Sequence, residues 1–311
     1  MRAKDAQSFF AGDRTSKPTM HSITFLVLLL IASSYLATAQ ERSSTQNELL
    51  ESGRAKKLHQ PPSTPTQIKI VSYNIRWRSG KELDQIIVWL KDRDQWPAII
   101  GLQEVDRAKQ RSGNTNNARV LAESLGMYYA WAAPPRPKIS KEKEDETGVE
   151  LLSPYPLSEI SRIVLPHPGP GGRWRVALGA TIRIGKTDLR VYSVHSETRI
   201  LVAQKMEQLQ AVLDDLARFP KTTPAIVMGD FNSWEPQAIA GVRKLFTSAG
   251  FTTPFADDDP TFMRNAVVFD LELKLDWIWL RGLSPHSHGI DRGLTVSDHY
   301  PLWTVVKLES R

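Results

Sequence analysis

Two hydrophobic periods take turns along this chain from residue 67 onward, and their order predicts an architecture. Residues 67–74 alternate apolar and polar side chains and are rich in Ile and Val, which predicts a strand. Leu83, Ile86, Ile87 and Leu90 then recur at helical spacing in a segment that stops before Pro97. The unbroken apolar run at 98–102 predicts a strand buried on both faces. A helix over 117–125 ends at Gly126, a residue suited to a C-cap. Short strands follow near 127–133, 148–153, 158–164, 174–184 and 188–194, with a proline-containing, densely charged loop at 134–146. The longest helix, over 199–219, carries Val202, Met206, Leu209, Val212, Leu213 and Leu216 on one stripe. A buried strand at 224–228, a helix near 236–248, a strand at 275–280 and a last strand at 302–308 complete the pattern. Many strands with few interleaved helices predict an α+β sandwich, and the helix-free middle argues against a doubly wound sheet.

Before residue 67 the pattern changes. Arg2, Lys4, Arg14 and Lys17 precede an uncharged apolar run at 23–36, and Ala37-Thr38-Ala39 offers a cleavage site before Gln40. That layout is a secretory signal peptide, residues 1–39. A membrane anchor is the alternative, but a span needs roughly 20 apolar residues, and this run is shorter and carries Ser33 and Ser34. A secreted or periplasmic protein is therefore expected, with anchoring at the outer face of a membrane as the rival. Met20 is a second candidate start. Residues 40–66 are polar and rich in Pro, Ser and Thr, and read as a flexible linker; residues 67–311 suffice for one large domain. The chain has no cysteine, which excludes disulfides and thiolate metal ligands. Its net charge is +6 at pH 7, of which the leader supplies +2, so the rest is only mildly suited to a polyanionic partner. No stable protein partner is implied, and a monomer is expected.

The chemistry lies in six polar motifs: Ser-Tyr-Asn-Ile (72–75), Leu-Gln-Glu (102–104), Val-His-Ser (194–196), Gly-Asp-Phe-Asn-Ser (229–233), Leu-Asp-Trp-Ile (275–278) and Ser-Asp-His-Tyr-Pro-Leu (297–302). Most end or interrupt an apolar run, so each sets a carboxylate, amide or imidazole where a strand gives way to a loop. Glu104, at the end of a buried strand, is the candidate principal metal ligand, because a buried carboxylate calls for a compensating cation. Asn74 ends the neighbouring strand and offers an oxygen to the same ion or its water. With oxygen donors and no thiolate, Mg²⁺ is expected, with Mn²⁺ as a substitute. In the 229–233 motif Gly229 permits a tight turn, Phe231 points into the core, and Asp230 and Asn232 share a face. Asp230 can then accept a proton from water while Asn232 fixes its position. His299 can hold a proton toward a phosphate oxygen with Asp276 orienting the ring, Asp298 is left for the metal or its water, and His195 supplies a second imidazole. Taken singly, each of these residues has an ordinary structural reading: a surface carboxylate, an Asp-rich turn, a core histidine. Trp77, Trp174 and Trp234 near the motifs suit core or rim packing, with stacking on a base or an acyl chain as the alternative.

The joint pattern resembles the endonuclease/exonuclease/phosphatase superfamily, the DNase I-like metal-dependent phosphohydrolases. The resemblance covers about residues 67–308 and is carried most specifically by Gly229-Asp230-Phe231-Asn232-Ser233 and Ser297-Asp298-His299. It implies a four-layer α/β/β/α sandwich of two packed mixed β-sheets with the site at one rim. It also implies Glu104, Asn74 and Asp298 near the metal, Asp230 as base with Asn232 positioning it, His299 paired with Asp276, and His195 on the phosphate or leaving oxygen. Arg175 matches a substrate-side arginine, with Arg173 as a neighbouring rival. Three departures stand out: Pro154 where the family usually has Arg, the unusually acidic Glu150, and a stretched spacing between Pro260 and Asp276. The substrate class implied is a phosphodiester, of a nucleic acid or a phospholipid head group. A nuclease is favoured, a phospholipid or sphingomyelin phosphodiesterase is the alternative, and a non-catalytic phospholigand binder is a third reading. The inositol-phosphatase branch is disfavoured because Leu275-Asp276-Trp277 lacks its Cys-Asp-Arg signature.

Overall fold

Side chains that alternate between two apolar surroundings give each central strand two buried faces, and the layers follow from that. The computed structural model describes residues 49–63, 65–91, 98–136, 146–266 and 269–308. One sheet has seven strands in the order β1 (Leu50–Arg54), β4 (Tyr128–Ala132), β5 (Glu146–Ser153), β3 (Ala98–Arg107), β2 (Gln67–Asn74), β14 (Leu302–Lys307) and β13 (Ser284–Ile290). The other has five, in the order β12 (Asp276–Arg281), β9 (Ala225–Asp230), β8 (Thr187–His195), β7 (Arg173–Ile184) and β6 (Leu157–Gly169). Both are mixed: β2 and β3 are parallel, as are β8 and β9, and the remaining neighbours are antiparallel. Helices α1 (Gly80–Lys91) and α2 (Asn117–Leu125) cover the first sheet, and α3 (Val202–Leu216) and α4 (Pro236–Ser248) cover the second.

Ile68 and Ile70 of β2 pack between the sheets with Ile226 and Met228 of β9, while Val71 and Tyr73 face α1 and Val227 faces the α3–α4 side. Three core layers result, and the expected four-layer α/β/β/α sandwich is what the chain forms. Gly126 closes α2 at φ 66°, its N–H donating to the Ala122 carbonyl, as the helix-end pattern predicted.

Part of the expected flexible linker is instead structured. Residues 50–54 pair with β4 as an edge strand, and Glu51 accepts hydrogen bonds from Tyr129 (2.6 Å), Arg119 (2.9 Å), Asn116 (3.0 Å) and Arg107 (3.2 Å). A single acid gathering four donors anchors this strand, an interaction that hydrophobic periodicity does not report. The predicted signal peptide and residues 40–48 lie outside the described residues, as do residues 137–145 of the expected charged loop. Two further differences are β13, an edge strand of Ser, His and Pro, and a hairpin of β10 (Phe262–Ala266) and β11 (Phe269–Leu273), which occupies the stretched segment before Asp276. Among the described residues no helix is long and apolar enough to cross a membrane.

Glu150 is a conspicuous internal conflict of the sandwich. It lies opposite Leu102 and Trp131 on the helix-facing side of its sheet, fully buried, and neither carboxyl oxygen has a hydrogen-bond partner among the described residues. Burial, and secondarily the charge of Glu51, holds its pKa well above the ordinary value of 4.5. Such a group is neutral in the folded chain and ionises on unfolding, so it is neutral to stability below about pH 4.5 and lowers stability progressively as pH rises toward its folded pKa. Glu150→Gln is therefore expected to raise stability more at pH 8 than at pH 5, by a difference on the order of 1–3 kcal/mol. Urea unfolding of both proteins at the two pH values measures this, and parallel pH profiles would contradict it.

Candidate active site

In the five-stranded sheet β8 and β9 end, and β12 begins, at one level. His195 of β8 pairs with Asp230 of β9, and Asp230 pairs with Asp276 of β12, so ladder register alone sets the three in a row at the rim. Gly229 makes the approach possible: its φ is +141°, and a Cβ there would lie 2.0 Å from the Val194 carbonyl oxygen. Beyond the turn, Phe231 is buried against Phe246 of α4 (ring centroids 5.5 Å), which in turn stacks on Trp279 (5.1 Å). The Asn232 N–H donates to Asp230 Oδ1 at 2.9 Å, and its side-chain amide donates to the Ser196 carbonyl at 3.0 Å. Asn232 thus positions Asp230, through its backbone.

The seven-stranded sheet contributes Asn74 and Glu104. The sequence places Glu104 at a strand's end; the structure corrects this, because β3 continues to Arg107 and Glu104 sits in a bulge where the ladder to β5 skips from Gln103 to Val105. Its φ of +56° is that of a locally distorted backbone, and the carboxylate is turned into the cleft. Asn74 Nδ2 donates to Asp230 Oδ2 (3.0 Å) and to Glu104 Oε1 (3.4 Å), while Asn74 Oδ1 accepts the Arg76 N–H (3.0 Å). Asn74 therefore bridges the two acids as a donor. Ser297 Oγ donates to the Asn74 carbonyl (2.8 Å) and accepts the His299 N–H (3.2 Å), which pins the 297–299 loop to the end of β2.

Asp230 Oδ2 is the meeting point. His195 Nε2 lies 3.5 Å from it and His299 Nε2 3.8 Å, and His195 Nε2 is 3.8 Å from Glu104 Oε1. His299 Nδ1 is 2.8 Å from Asp276 Oδ2, the orienting pair that the motifs predicted. Burial opposes charge on His299, but the carboxylates of Asp276 and Asp230 push its pKa up to about 10, so it holds a proton. Burial, followed by Arg175, His299 and Arg173, keeps His195 well below the usual imidazole value, so that ring is neutral. Burial, with the charge of Asp276 added, raises Asp230 above the ordinary carboxylate range against the pull of His299 and the Asn232 and Asn74 amides. Two imidazoles that approach the same carboxylate oxygen are thus given opposite protonation states.

These groups line a cleft of about 600 Å³. Arg76, Trp77, Glu104, Arg175 and Asp298 line it, and Trp234, Phe262, Leu271, Leu273 and Leu275 give it an apolar wall. The hairpin before Asp276 builds much of that wall, and Phe262 packs edge-on against His299 with centroids 5.0 Å apart. Asp298 lines the cleft but is engaged by Arg76 at 3.1 Å. Arg175 and Arg173 both bind Glu197, at 3.1 Å and 2.9 Å, and only Arg175 also reaches His195, at 3.2 Å. Trp77 is covered by Arg111 (4.3 Å) and Arg76 (5.5 Å), so it holds guanidinium groups; Trp234 is 37% exposed and rests over Lys205.

Sequence reasoning missed the polar residues beneath the site. Glu197 is buried behind the two arginines, Gln208 of α3 accepts the Glu197 N–H at 2.8 Å, and Lys205 of α3 donates to the Asn232 carbonyl. A signal existed: Lys205 and Gln208 fall on the same helical face as Leu209, Val212 and Leu216, where a polar residue needs a buried partner.

Two positions among the described residues could hold a cation. Asp230, Asp276 and His299 offer ligand atoms within 4.8 Å of one another, but His299 Nδ1 is engaged by Asp276 and both Asp230 oxygens accept from amides. Glu104 fits better, because its Oε2 is buried in the cleft wall with no hydrogen-bond partner among the described residues. A carboxylate oxygen without a partner suits a hard divalent ion.

The sequence pattern of the Endonuclease/Exonuclease/phosphatase family matches residues 71–299, and the chain belongs to that family of phosphoester hydrolases. A UPF0294 protein of Vibrio cholerae is 31% identical over 140 residues, 44% of this chain and 44% of that relative's length, so less than half of it is matched. An endonuclease/exonuclease/phosphatase family protein from Leptotrichia buccalis superposes with a TM-score of 0.59 at 19% identity, covering 78% of this chain and 100% of that one. TDP2 of D. rerio, complexed with a single-strand DNA product, gives 0.58 at 17% identity over 78% of this chain and 100% of that one. At these identities the two structures speak to the fold.

If Glu104 anchors the cation, Glu104→Gln weakens Mn²⁺ binding by at least about tenfold, whereas Asp276→Asn leaves it within a few-fold of wild type. Titration followed by electron paramagnetic resonance reads both, and the opposite ranking would place the ion in the Asp230–Asp276–His299 group.

Proposed function

We propose that this chain is a divalent-metal-dependent phosphodiesterase of nuclease type that attacks phosphorus with a water activated at Asp230. The convergence of Asn74, His195 and His299 on one oxygen of a buried carboxylate carries the reading. Asp230, raised above the usual carboxylate range, is basic enough to take a proton from water, while Asn232 and Asn74 hold both of its oxygens in place. His299 keeps its proton and donates it as a hydrogen bond to a phosphoryl oxygen, with Asp276 fixing the ring; neutral His195 faces the same oxygens between Asp230 and Glu104. A cation bound at Glu104, Mg²⁺ or Mn²⁺, supplies charge neutralisation on a non-bridging or leaving oxygen. The protein needs no covalent intermediate in this scheme.

A nucleic-acid strand is the favoured substrate because arginines border the cleft and a structural neighbour holds single-strand DNA. The apolar wall of Phe262, Leu271, Leu273 and Leu275 supports a phospholipid phosphodiester as the second reading. The basic, then apolar, character of residues 1–39 supports action outside the cytoplasm.

Assays with single- and double-stranded DNA, RNA, sphingomyelin, a phosphoinositide and a simple aryl diester, each with and without chelator, test this. Nucleic-acid cleavage that stops with chelator and returns with Mg²⁺ or Mn²⁺ is expected. Asp230→Ala and His299→Ala should each lose about 10²–10³ in rate with circular dichroism unchanged. Lipid cleavage without nucleic-acid cleavage transfers the assignment to the second reading, and full turnover by either variant rejects the site.

A further inference from the structure

We propose that Arg175, held by buried Glu197, is a positioning residue that fixes His195 as a neutral ring with its one proton on Nε2. In that state His195 serves the reaction as a hydrogen-bond donor and never as a source of protons. This rests on the phosphodiesterase reading above and assigns one ring's part in it. Arg175 Nη1 lies 3.2 Å from His195 Nδ1. A guanidinium carries N–H donors and no acceptor, so Nδ1 must be the nitrogen that accepts, with its lone pair engaged. A proton on Nδ1 would face both an N–H and a positive charge. The ring's single proton therefore sits on Nε2. That nitrogen has acceptors before it, Asp230 Oδ2 at 3.5 Å and Glu104 Oε1 at 3.8 Å. A donor behind the ring and acceptors in front of it assign the same tautomer independently.

The guanidinium is itself immobilised. Val176 of β7 pairs with His195 of β8, so strand register brings the neighbouring Arg175 to the ring. Glu197 Oε2 accepts from Arg175 Nε at 3.1 Å and from Arg173 Nε at 2.9 Å. Its Oε1 accepts the N–H groups of Thr198 (3.0 Å) and Arg199 (3.1 Å), so the carboxylate is held by its own loop. Gly169 closes the space against it, since a Cβ there would lie 2.5 Å from Glu197 Cδ. A carboxylate that cannot swing away fixes the guanidinium plane, and the plane fixes the ring. His299 is built the other way round, with the Asp276 carboxylate 2.8 Å from its Nδ1. The difference has a chemical consequence. Loss of the Nε2 proton would leave His195 an imidazolate, and its engaged Nδ1 cannot collect a second proton to pass on. The ring keeps its proton and bonds a phosphoryl oxygen with it, and the proton that a leaving oxygen needs comes from elsewhere.

Nitrogen NMR of the whole chain, labelled in its histidine rings and with Mg²⁺ added, tests this. His195→Gln identifies the His195 signals among those of the seven histidines. A lone-pair, pyridine-type shift at Nδ1 and a protonated, pyrrole-type shift at Nε2 are expected. A protonated Nδ1, on a neutral or a charged ring, overturns the proposal, and this reading needs no Arg175 or Glu197 variant to fold. Arg175→Met should move the Nδ1 shift toward the protonated value and lower kcat by at least about tenfold on whichever diester is cleaved. Glu197→Gln, which leaves Arg175 in place, should move both in the same direction by less. An Nδ1 shift unchanged in Arg175→Met, or a raised KM with kcat intact, overturns the positioning role, because the guanidinium would then serve substrate binding alone. Failure to cleave any diester overturns the phosphodiesterase reading and the donor role with it, whatever the ring shows.

Discussion

Asp230 sets the constraint on which the rest of the rim depends. It is 1% exposed, and a carboxylate so placed is tolerated only if neighbours compensate its charge or share its proton. His299 brings a positive charge, Asp276 keeps it there, Asn74 donates an N–H, and neutral His195 adds nothing that would quench the base. Each member is acceptable because the others are present. The same mutual dependence explains why two histidines in one pocket carry different protons: one has a carboxylate on its far nitrogen, the other an arginine.

Rigidity comes from behind the rim. Phe231, between the two polar residues of its turn, is locked into the aromatic stack of Phe246 and Trp279. Helix α3 reaches the same turn with Lys205 and the Glu197 segment with Gln208, so one helix steadies both loops that flank the row of strand ends. The β10–β11 hairpin is joined to the His299 loop by the Met263 N–H to the Asp298 carbonyl (2.8 Å) and the Tyr300 N–H to the Thr261 carbonyl (2.7 Å). Its apolar wall and the His299 imidazole are therefore one mechanical unit, and the hairpin shapes both the cleft and the ring's surroundings.

Much of this was legible from composition and spacing. Central strands read clearly because both faces are buried and their residues are β-branched, and the four helices read from their stripes. The edge strands of the seven-stranded sheet did not: β1 is held by an acid among arginines and β13 by ladder bonds to β14, and neither needs an apolar pattern. The bulge at Glu104 was likewise invisible, since nothing in Leu-Gln-Glu distinguishes a strand's end from a kink within it. The motif residues themselves were readable because their types are chemically conspicuous at strand ends. Glu197 was not, because its buried partners are distant in sequence, and Lys205 and Gln208 were signalled only by their place on the apolar stripe of α3.

Residue types and their local periods were enough to establish an α+β sandwich and the polar motifs, and the resemblance those motifs carry supplied the four layers and the family. Which atoms meet, which ring carries the proton and which arginines keep an edge toward the cleft depended on contacts far apart in the chain, such as Asn74 to Asp230 across 156 residues. The reason is physical: propensity and hydrophobic period act over a turn or a strand, whereas charge compensation and desolvation are properties of a folded neighbourhood.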